Sequence, residues 1–162
     1  MKTLYIIRHA KSSWKDIALD DFDRPLSQRG RDDALLMANK LVELNIFPDL
    51  IISSPSKRTK CTINIIAPQL GYEKDIVYDD KIYESNMTNL KKIVKNLDNK
   101  NNSVFLFGHN PGLNMLAEDL CGFLKNIATT GILIINFDCN SWSEVSNLNS
   151  NLSDYIYPKR YK

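Results

Sequence analysis

The sequence predicts an α/β protein, a three-layer α/β/α sandwich around a mostly parallel central sheet. Three observations support this prediction. Short apolar segments alternate with segments of helical periodicity along the chain. Such alternation favours parallel strands joined by helices that pack on both faces of the sheet. Finally, 162 residues with 43% hydrophobic and 25% charged side chains suit a single domain over residues 1–162.

The strands are predicted from short apolar runs bounded by polar residues or turn signals. Ser143–Leu148 is predicted to pair beside the last of these runs, and the chain from Asn149 onward is interpreted as a polar tail. In chain order, the predicted strands are Thr3–Ile7, Asp49–Ser53, the weaker Asp75–Tyr78, Val104–Phe107 and Ile132–Phe137.

The helices are predicted from apolar side chains at helical spacing and from residues that begin or end helices. Ser27 is a candidate N-cap for a helix that runs to about Asn45. Ser54–Pro55 and Asn110–Pro111 each offer an N-cap followed by proline at the first helical position, and the first of these two helices should end or bend near Pro68. The apolar stripes are Ala34, Ala38 and Leu41 in the first helix, Leu90, Ile93, Val94 and Leu97 in a helix over Asn89–Leu97, and Leu113, Leu116, Ala117 and Leu120 in a helix ending near Gly122.

Charge and composition exclude several classes of partner. The formal net charge is +2, so no strong overall field favours nucleic acid or a membrane surface. The three cysteines, Cys61, Cys121 and Cys139, form no close pair, which favours free thiols in a reducing compartment. The apolar start MKTLYII is too short for a secretory signal, and the longest apolar run, ILII at 132–135, is far too short to span a membrane. We therefore expect a cytoplasmic protein.

Basic and imidazole side chains follow the ends of three predicted strands. Arg8 and His9 come directly after the first strand, Arg58 lies just after the second, and His109 follows the strand at Val104–Phe107. Ligands of parallel sheets bind beyond the carboxyl ends of the strands, so these four side chains are expected to converge. The chain has only two histidines, and both lie at this edge.

This combination predicts a site for a small dianion with a nucleophile inside it. Guanidinium groups present planar donors that suit phosphate oxygens, and helix N-termini add partial positive charge. A neutral imidazole nitrogen can attack phosphorus and carry the phosphoryl group. Each residue alone also has an ordinary structural interpretation, as a hydrogen-bonded histidine or a solvated arginine. No acidic cluster with metal-ligand spacing lies beside these motifs, so we expect neither a metal nor another cofactor.

The motifs resemble those of the histidine phosphatase superfamily, also called the phosphoglycerate mutase-like superfamily. LYIIRHAKSSW at 4–14 resembles the family's opening motif, and DFDRPLSQRG at 21–30, SSPSKRTKCT at 53–62 and FGHNPG at 107–112 follow in the family's order. The combination is most similar to the small SixA-like branch of phosphohistidine phosphatases. The resemblance covers nearly the whole chain, and it implies the phosphoglycerate mutase-like fold.

The resemblance also implies roles for individual residues. His9 would be the nucleophile that forms a phosphohistidine intermediate, and Arg8, Arg58 and His109 would complete the phosphate pocket. Arg24 matches a recurrent arginine of the small branch, for which substrate contact and loop bracing are both open.

The chain departs from related branches beside His109. Asn110 stands where the acid-phosphatase branch has an aspartate proton donor, and we place it among the substrate-binding candidates. Glu84 is the best remaining carboxylate for general acid, although it could equally be an exposed loop glutamate.

These features together predict a metal-independent phosphatase that removes phosphate from phosphohistidine. Phosphorus–nitrogen bonds to imidazole need little acid assistance, whereas an alkyl phosphate needs its leaving oxygen protonated. The connections are short, so an open site could admit a phosphorylated side chain of a signalling protein. Alternatives are a phosphatase for small phosphate esters, a mutase, which the short connections disfavour, and a non-catalytic phosphoryl-binding module. The long loop KSSWKDIALDDFDRPL at 11–26 could dock a partner or simply pack on the core.

Overall fold

The computed structural model describes residues 1–162, and it contains a six-stranded sheet between two pairs of helices. Successive apolar side chains of the first strand pack alternately on the two faces of this sheet. The strands are β1 (Lys2–Arg8), β2 (Leu50–Ser53), β3 (Val77–Tyr78), β4 (Ser103–Gly108), β5 (Ile132–Phe137) and β6 (Ser150–Ile156), and the helices are α1 (Gln28–Glu43), α2 (Lys57–Gln69), α3 (Met87–Lys95) and α4 (Gly112–Cys121).

The strand order is β3-β2-β4-β1-β5-β6. The pairs β3–β2, β2–β4 and β4–β1 are parallel, whereas β5 runs antiparallel to β1 and β6. Arg8 lies opposite Gly108, and Ser53 lies opposite Phe107, so the carboxyl ends of β1, β2 and β4 are level. The residues that follow these three strands therefore lie at one edge of the sheet.

Each face of the sheet has its own hydrophobic core. Leu4 and Ile6 of β1 pack in a cluster with apolar residues of α3 and α4, and Tyr5 and Ile7 pack in a second cluster with residues of α1 and α2. This division follows from the two-residue period of a strand, which sends alternate side chains to opposite faces. The predicted three-layer sandwich with a mostly parallel sheet is confirmed.

Helix α1 begins as the sequence predicts, because Ser27 Oγ accepts the backbone N–H of Gly30 at 3.0 Å. The predicted start of α2 at Ser54–Pro55 is wrong. Ser56 is the N-cap, and its Oγ accepts the N–H of Thr59. Ser54 Oγ accepts the N–H of Ser56 instead, so this serine shapes the turn before the helix.

The predicted start of α4 is also displaced. The bond between Asn110 and Pro111 is cis, and Pro111 is the residue that precedes the helix rather than its first residue. Asn110 Oδ1 nevertheless accepts the backbone N–H of Asn114 at 3.1 Å. Gly122 ends the helix in a left-handed conformation, with φ of 72°, which glycine adopts more easily than other residues.

The C-terminal prediction is wrong in two respects. Ser143–Leu148 is not a strand, because Trp142–Glu144 forms a turn of 3-10 helix and Trp142 is fully buried. The strand beside β5 is instead β6, which lies within the segment interpreted as a polar tail. Because β6 is an edge strand, most of its side chains are at least partly exposed and can be polar.

Candidate active site

A cavity of about 240 Å³ lies at the carboxyl ends of β1 and β4. Arg8 ends β1, His9 follows it, and His109 follows β4, while Arg58 lies in the first turn of α2. The structure therefore brings these four predicted side chains to one cavity. The cavity is lined by Arg8, His9, Lys11, Ser12, Trp14, Arg24, Arg58, His109, Asn110 and Thr129, among which there is no carboxylate.

His9 is held as a neutral imidazole whose Nε2 is unprotonated. Its side chain is buried, and Nδ1 lies 2.7 Å from the carbonyl oxygen of Ala10. A carbonyl oxygen only accepts, so Nδ1 carries the proton and Nε2 is left as the acceptor. Burial, and then the positive charges of Arg58 and Arg8, lower the pKa of His9 to about 4. This ring is therefore unprotonated at neutral pH.

Arg58 is oriented by an acidic residue of the long loop after β1. Its Nη1 donates to the carbonyl oxygen of Asp21 at 2.7 Å, and its Nη2 donates to Asp21 Oδ2 at 3.0 Å. Its third nitrogen, Nε, donates to Nε2 of His9 at 3.4 Å. The guanidinium thus contacts both its anchor and the imidazole.

The carboxylate of Asp21 has further partners. The hydroxyl of Tyr83 donates to Asp21 Oδ2 at 2.6 Å, and Arg24 Nη1 lies 3.1 Å from Oδ1. The hydrogen bond from Tyr83 and the charge of Arg58 lower the pKa of Asp21, although its own burial opposes this shift. Burial and the bond to Asp21 together raise the pKa of Tyr83 to about 12. Asp21 therefore stays an anion and an acceptor at neutral pH.

Arg24, whose role the sequence left open, both lines the cavity and braces the loop. It is buried, donates to Ser12 Oγ and pairs with Asp21. Its guanidinium carbon also lies 3.3 Å from the ring centroid of Trp14, in a cation–π contact. These contacts tie both ends of the loop together beside the cavity.

His109 contacts Ser54, at the end of β2. His109 Nε2 lies 2.8 Å from Ser54 Oγ, which also accepts the N–H of Ser56. The hydroxyl proton of Ser54 has no other acceptor, so donation to Nε2 satisfies this group and leaves the imidazole proton on Nδ1. Burial is the main cause that lowers the pKa of His109 to about 3, and repulsion from a protonated His9 and from Arg58 adds to it. His109 is therefore neutral and retains one N–H donor.

Three buried donors around the cavity have no hydrogen-bond partner. They are Nε of Arg8, Nε of Arg24 and Nδ1 of His109. Buried polar groups without partners are rare, and a cluster of them at one cavity indicates a place for an acceptor. Guanidinium and imidazole N–H groups are donors of the kind that binds the oxygens of a tetrahedral oxyanion.

A second cavity, of about 460 Å³, shares Arg58, His109 and Asn110 with the first. Its other lining residues include Asp21, Tyr83 and Glu84. Glu84 is exposed and makes no hydrogen bond or ion pair, so the structure places it at the rim of the site rather than in its interior. This second cavity, unlike the first, has carboxylates in its wall.

Asn110 lines both cavities, but its side chain is already engaged. Its Nδ2 donates to the carbonyl oxygen of Ile127 at 3.1 Å, and its Oδ1 accepts from Asn114. Arg8 Nη1 donates to the same carbonyl oxygen of Ile127 at 3.0 Å. Asn110 and Arg8 are therefore anchored to one loop, and the present contacts of Asn110 are structural.

The sequence interpretation missed Asp21, Tyr83 and Ser54 as parts of the site. Asp21 lies three residues before Arg24, a spacing typical of an ion pair, and this was the available signal. Its more important contact, with Arg58, spans 37 residues and left no local pattern. Tyr83 and Ser54 likewise act through partners that are distant along the chain.

Comparison with known proteins gives consistent matches in sequence and structure. The family model of the histidine phosphatase superfamily (branch 1) matches residues 4–102. An uncharacterized protein of Arabidopsis thaliana, named as chloroplastic, is 31% identical over 152 residues, which cover 88% of this chain and 70% of that protein. No helix of the structure is both long and apolar enough to cross a membrane. The expected cytoplasmic location stays a prediction.

Solved structures of SixA proteins match over almost their full lengths. The crystal structure assigned as the phosphohistidine phosphatase SixA from Agrobacterium tumefaciens is 26% identical, with a TM-score of 0.84, over 97% of this chain and 98% of that one. The protein histidine phosphatase SixA complexed with tungstate is 21% identical, with a TM-score of 0.85, over 99% of both chains. With these matches and the family-model match, this chain belongs to the histidine phosphatase superfamily, in its SixA-like branch.

Proposed function

We propose that this protein is a phosphohistidine phosphatase in which His9 accepts the phosphoryl group from a histidine side chain of another protein. The observation that carries the proposal is the state of His9. It is a buried, neutral imidazole whose Nε2 lone pair faces a cavity lined by cationic donors and no carboxylate. The SixA structures that resemble this chain are described as histidine phosphatases, which supports the same substrate class.

The donors around His9 suit the transferring phosphoryl group. Arg8, Arg58 and His109 can contact its oxygens and neutralise the charge that these oxygens carry in the transition state. Arg8 Nε and His109 Nδ1 are buried without partners, so a bound oxyanion would satisfy both. Asp21 holds Arg58 beside Nε2 of His9, and the long contact from Arg58 Nε to that nitrogen, 3.4 Å, passes to a phosphoryl oxygen when the substrate binds.

The acidic residues of the site indicate which leaving group it can release. Asp21 is held as an anion by Tyr83 and Arg58, so it is a poor proton donor. Glu84 is exposed at the rim of the second cavity, and no other contact orients it. A leaving imidazole needs little protonation, whereas a leaving alkoxide needs a positioned acid. This contrast favours phosphohistidine over alkyl phosphates.

The reaction proceeds in two balanced transfers. The lone pair of His9 Nε2 attacks phosphorus, the substrate's P–N bond breaks, and its electron pair stays on the departing imidazole nitrogen. The proton stays on His9 Nδ1 and is donated in a hydrogen bond to the Ala10 carbonyl oxygen, which stabilises the positive charge of the phosphorylated ring. Water then attacks phosphorus, the new P–N bond breaks, and the electron pair returns to Nε2 while water loses its proton to solvent.

The test is the time course of phosphate release from a histidine-phosphorylated phosphotransfer domain in the presence of a chelator. The wild-type protein should release phosphate rapidly, and His9→Ala should reduce the rate at least about a thousandfold. Rapid release by His9→Ala would overturn the proposal. No release by the wild-type protein, with retained oxyanion binding, would indicate a non-catalytic binding module.

A phosphatase for small phosphate esters is the second candidate, because Glu84 lines a cavity next to His109. If Glu84 is a general acid, Glu84→Gln should reduce turnover of an alkyl phosphate by about a hundredfold or more. Glu73→Gln, at another exposed glutamate, is the matched control. The phosphohistidine proposal expects slow alkyl phosphate turnover in the wild-type protein and little change on phosphohistidine in either variant.

A further inference from the structure

We propose that a basic cleft beside the phosphate cavity binds an acidic segment of the protein whose phosphorylated histidine enters the site. This inference rests on the proposed function and adds a recognition site for the substrate. The basic cleft is a cavity of about 330 Å³ whose lining includes Arg29, Asp33, Lys125, Thr129, Tyr155 and Lys159.

The basic cleft is positively charged, and two of its cationic side chains have no anionic partner. Arg29, Lys125 and Lys159 come from three separate parts of the chain and line one cavity. Lys125 and Lys159 are exposed and make no hydrogen bond or ion pair. The single carboxylate, Asp33, has a side chain only 3% exposed and is paired with Arg29 at 3.6 Å and with Lys162 at 2.7 Å. An incoming carboxylate therefore meets unpaired ammonium groups.

The wall of the basic cleft is held by specific contacts. The rings of Tyr155 and Tyr157 are stacked, with centroids 4.8 Å apart. The hydroxyl of Tyr155 accepts the N–H of Ala128 at 2.9 Å and lies 3.4 Å from the carbonyl oxygen of Asn126. The strand that carries Tyr155 is thereby joined to the loop at 125–130, so the cationic side chains project from a fixed frame.

The basic cleft and the phosphate cavity share the loop at 125–130 as their dividing wall. Thr129 lines both cavities. On the side of the phosphate cavity, Arg8 Nη1 donates to the carbonyl oxygen of Ile127, and the N–H of Thr130 donates to the carbonyl oxygens of Arg8 and His9. A ligand in the cleft would therefore contact the loop that positions the phosphate-binding residues.

The two adjoining cavities indicate the chemistry of the ligand and the distance that it must span. The phosphoryl group occupies one cavity, and a second anion in the adjoining cleft must belong to the same substrate for the two to act together. A polypeptide with Asp or Glu near its phosphorylated histidine meets both requirements. Exposed charges act mainly on association and depend on salt, so recognition through this cleft should weaken as ionic strength rises.

The test compares two fluorescent peptides that differ only in charge. Both contain one histidine, flanked by four glutamates in one peptide and by four glutamines in the other. Binding of the unphosphorylated peptides is measured by anisotropy at low salt, so this readout does not depend on catalysis. The phosphorylated peptides and phosphoramidate are then compared as substrates.

The cleft variant is Lys125→Glu with Lys159→Glu. Its control, Lys95→Glu with Lys100→Glu, makes the same change in charge near the end of α3 and before β4, at the opposite edge of the sheet. The wild-type protein and the control should bind the glutamate peptide about tenfold more tightly than the glutamine peptide. The cleft variant should lose this preference, and its ratio of kcat/KM for the phosphorylated glutamate peptide over phosphoramidate should fall about tenfold.

Equal binding of the two peptides by the wild-type protein would overturn the basic cleft as a recognition site, and so would a preference that persists in the cleft variant. Failure of the proposed function would look different. The wild-type protein would then keep its preference for the glutamate peptide but would not dephosphorylate either peptide.

Discussion

Arg58 donates from Nε to Nε2 of His9 over 3.4 Å, so a guanidinium suited to a phosphoryl group also faces the proposed nucleophile. The contact requires a lone pair on Nε2, and the bond from His9 Nδ1 to Ala10 supplies it by fixing the tautomer. The same cation disfavours protonation of the imidazole. One residue therefore links the oxyanion site to the protonation state of His9.

Both imidazoles should stay neutral through the physiological range of pH. The pKa values of His9 and His109 are lowered to about 4 and about 3, chiefly by burial. The chain has only two histidines, so an NMR titration of imidazole nitrogens resolves both rings. Neither ring should titrate between pH 8 and pH 5, whereas both should titrate with a midpoint at about pH 6.5 in denaturant. A midpoint near that value in the folded protein would contradict this burial.

The same pKa shifts predict that the free energy of unfolding decreases as the pH is lowered. Between about pH 6.5 and pH 4 the unfolded histidines bind protons and the folded ones do not, so stability is lost as the pH falls. Urea unfolding should show a decrease of about 4 kcal/mol from pH 8 to pH 5, about 2 kcal/mol from each histidine. Replacing His109 with Asn should make this dependence shallower, and an unchanged dependence would count against the shift at His109.

Asp21 is predicted to be a positioning residue that acts through Arg58. In Asp21→Asn the charge that fixes the guanidinium is lost, so kcat for phosphohistidine should fall about tenfold. Asp23→Asn is the matched control, because Asp23 lies in the same turn of 3-10 helix and its side chain makes no hydrogen bond or ion pair with either arginine. The measurement is steady-state phosphate release with both variants. Equal rates for Asp21→Asn and the wild-type protein would remove Asp21 from the account.

How much of this site the sequence predicts depends on the kind of contact. Arg8, His9 and His109 follow apolar runs, and the edge rule for parallel strands brings them together without any tertiary information. The contact of Asp21 with Arg58 is different, since it depends on how a long loop folds back over the sheet. No periodicity specifies the path of this loop, so the contact of Asp21 with Arg58 could not be predicted from the sequence.

The errors in the fold have a similar origin. Strand β6 was missed because it lies at an edge, where the pattern of side chains is mixed and Asp154 and other polar residues are tolerated. The starts of α2 and α4 were misplaced because Ser54 and Asn110 use their side chains in the turns before the helices. Ser54 also contacts His109 of the site, whereas the contacts of Asn110 are structural.

Gly30 is predicted to be required for the packing of α1 against the loop after His9. A Cβ at this position would overlap the carbonyl oxygen of Lys11, which also accepts the N–H of Ser27. Gly30→Ala should therefore lower the free energy of unfolding by about 1–3 kcal/mol, despite the better helix propensity of alanine. Asn39→Ala, at an exposed position of the same helix, should be neutral or stabilising in the same denaturant titration.

The central claim is that His9 carries the phosphoryl group, and trapping the intermediate tests it most directly. A radiolabelled phosphohistidine protein is mixed with the enzyme, quenched in base within milliseconds and digested, and the labelled peptide is sequenced. We predict an acid-labile, base-stable label on His9 that appears before free phosphate and is absent from His9→Ala. Turnover by His9→Ala at the wild-type rate, or a transferred label on any other residue of this protein, would contradict the assignment of His9 as the phosphoryl carrier.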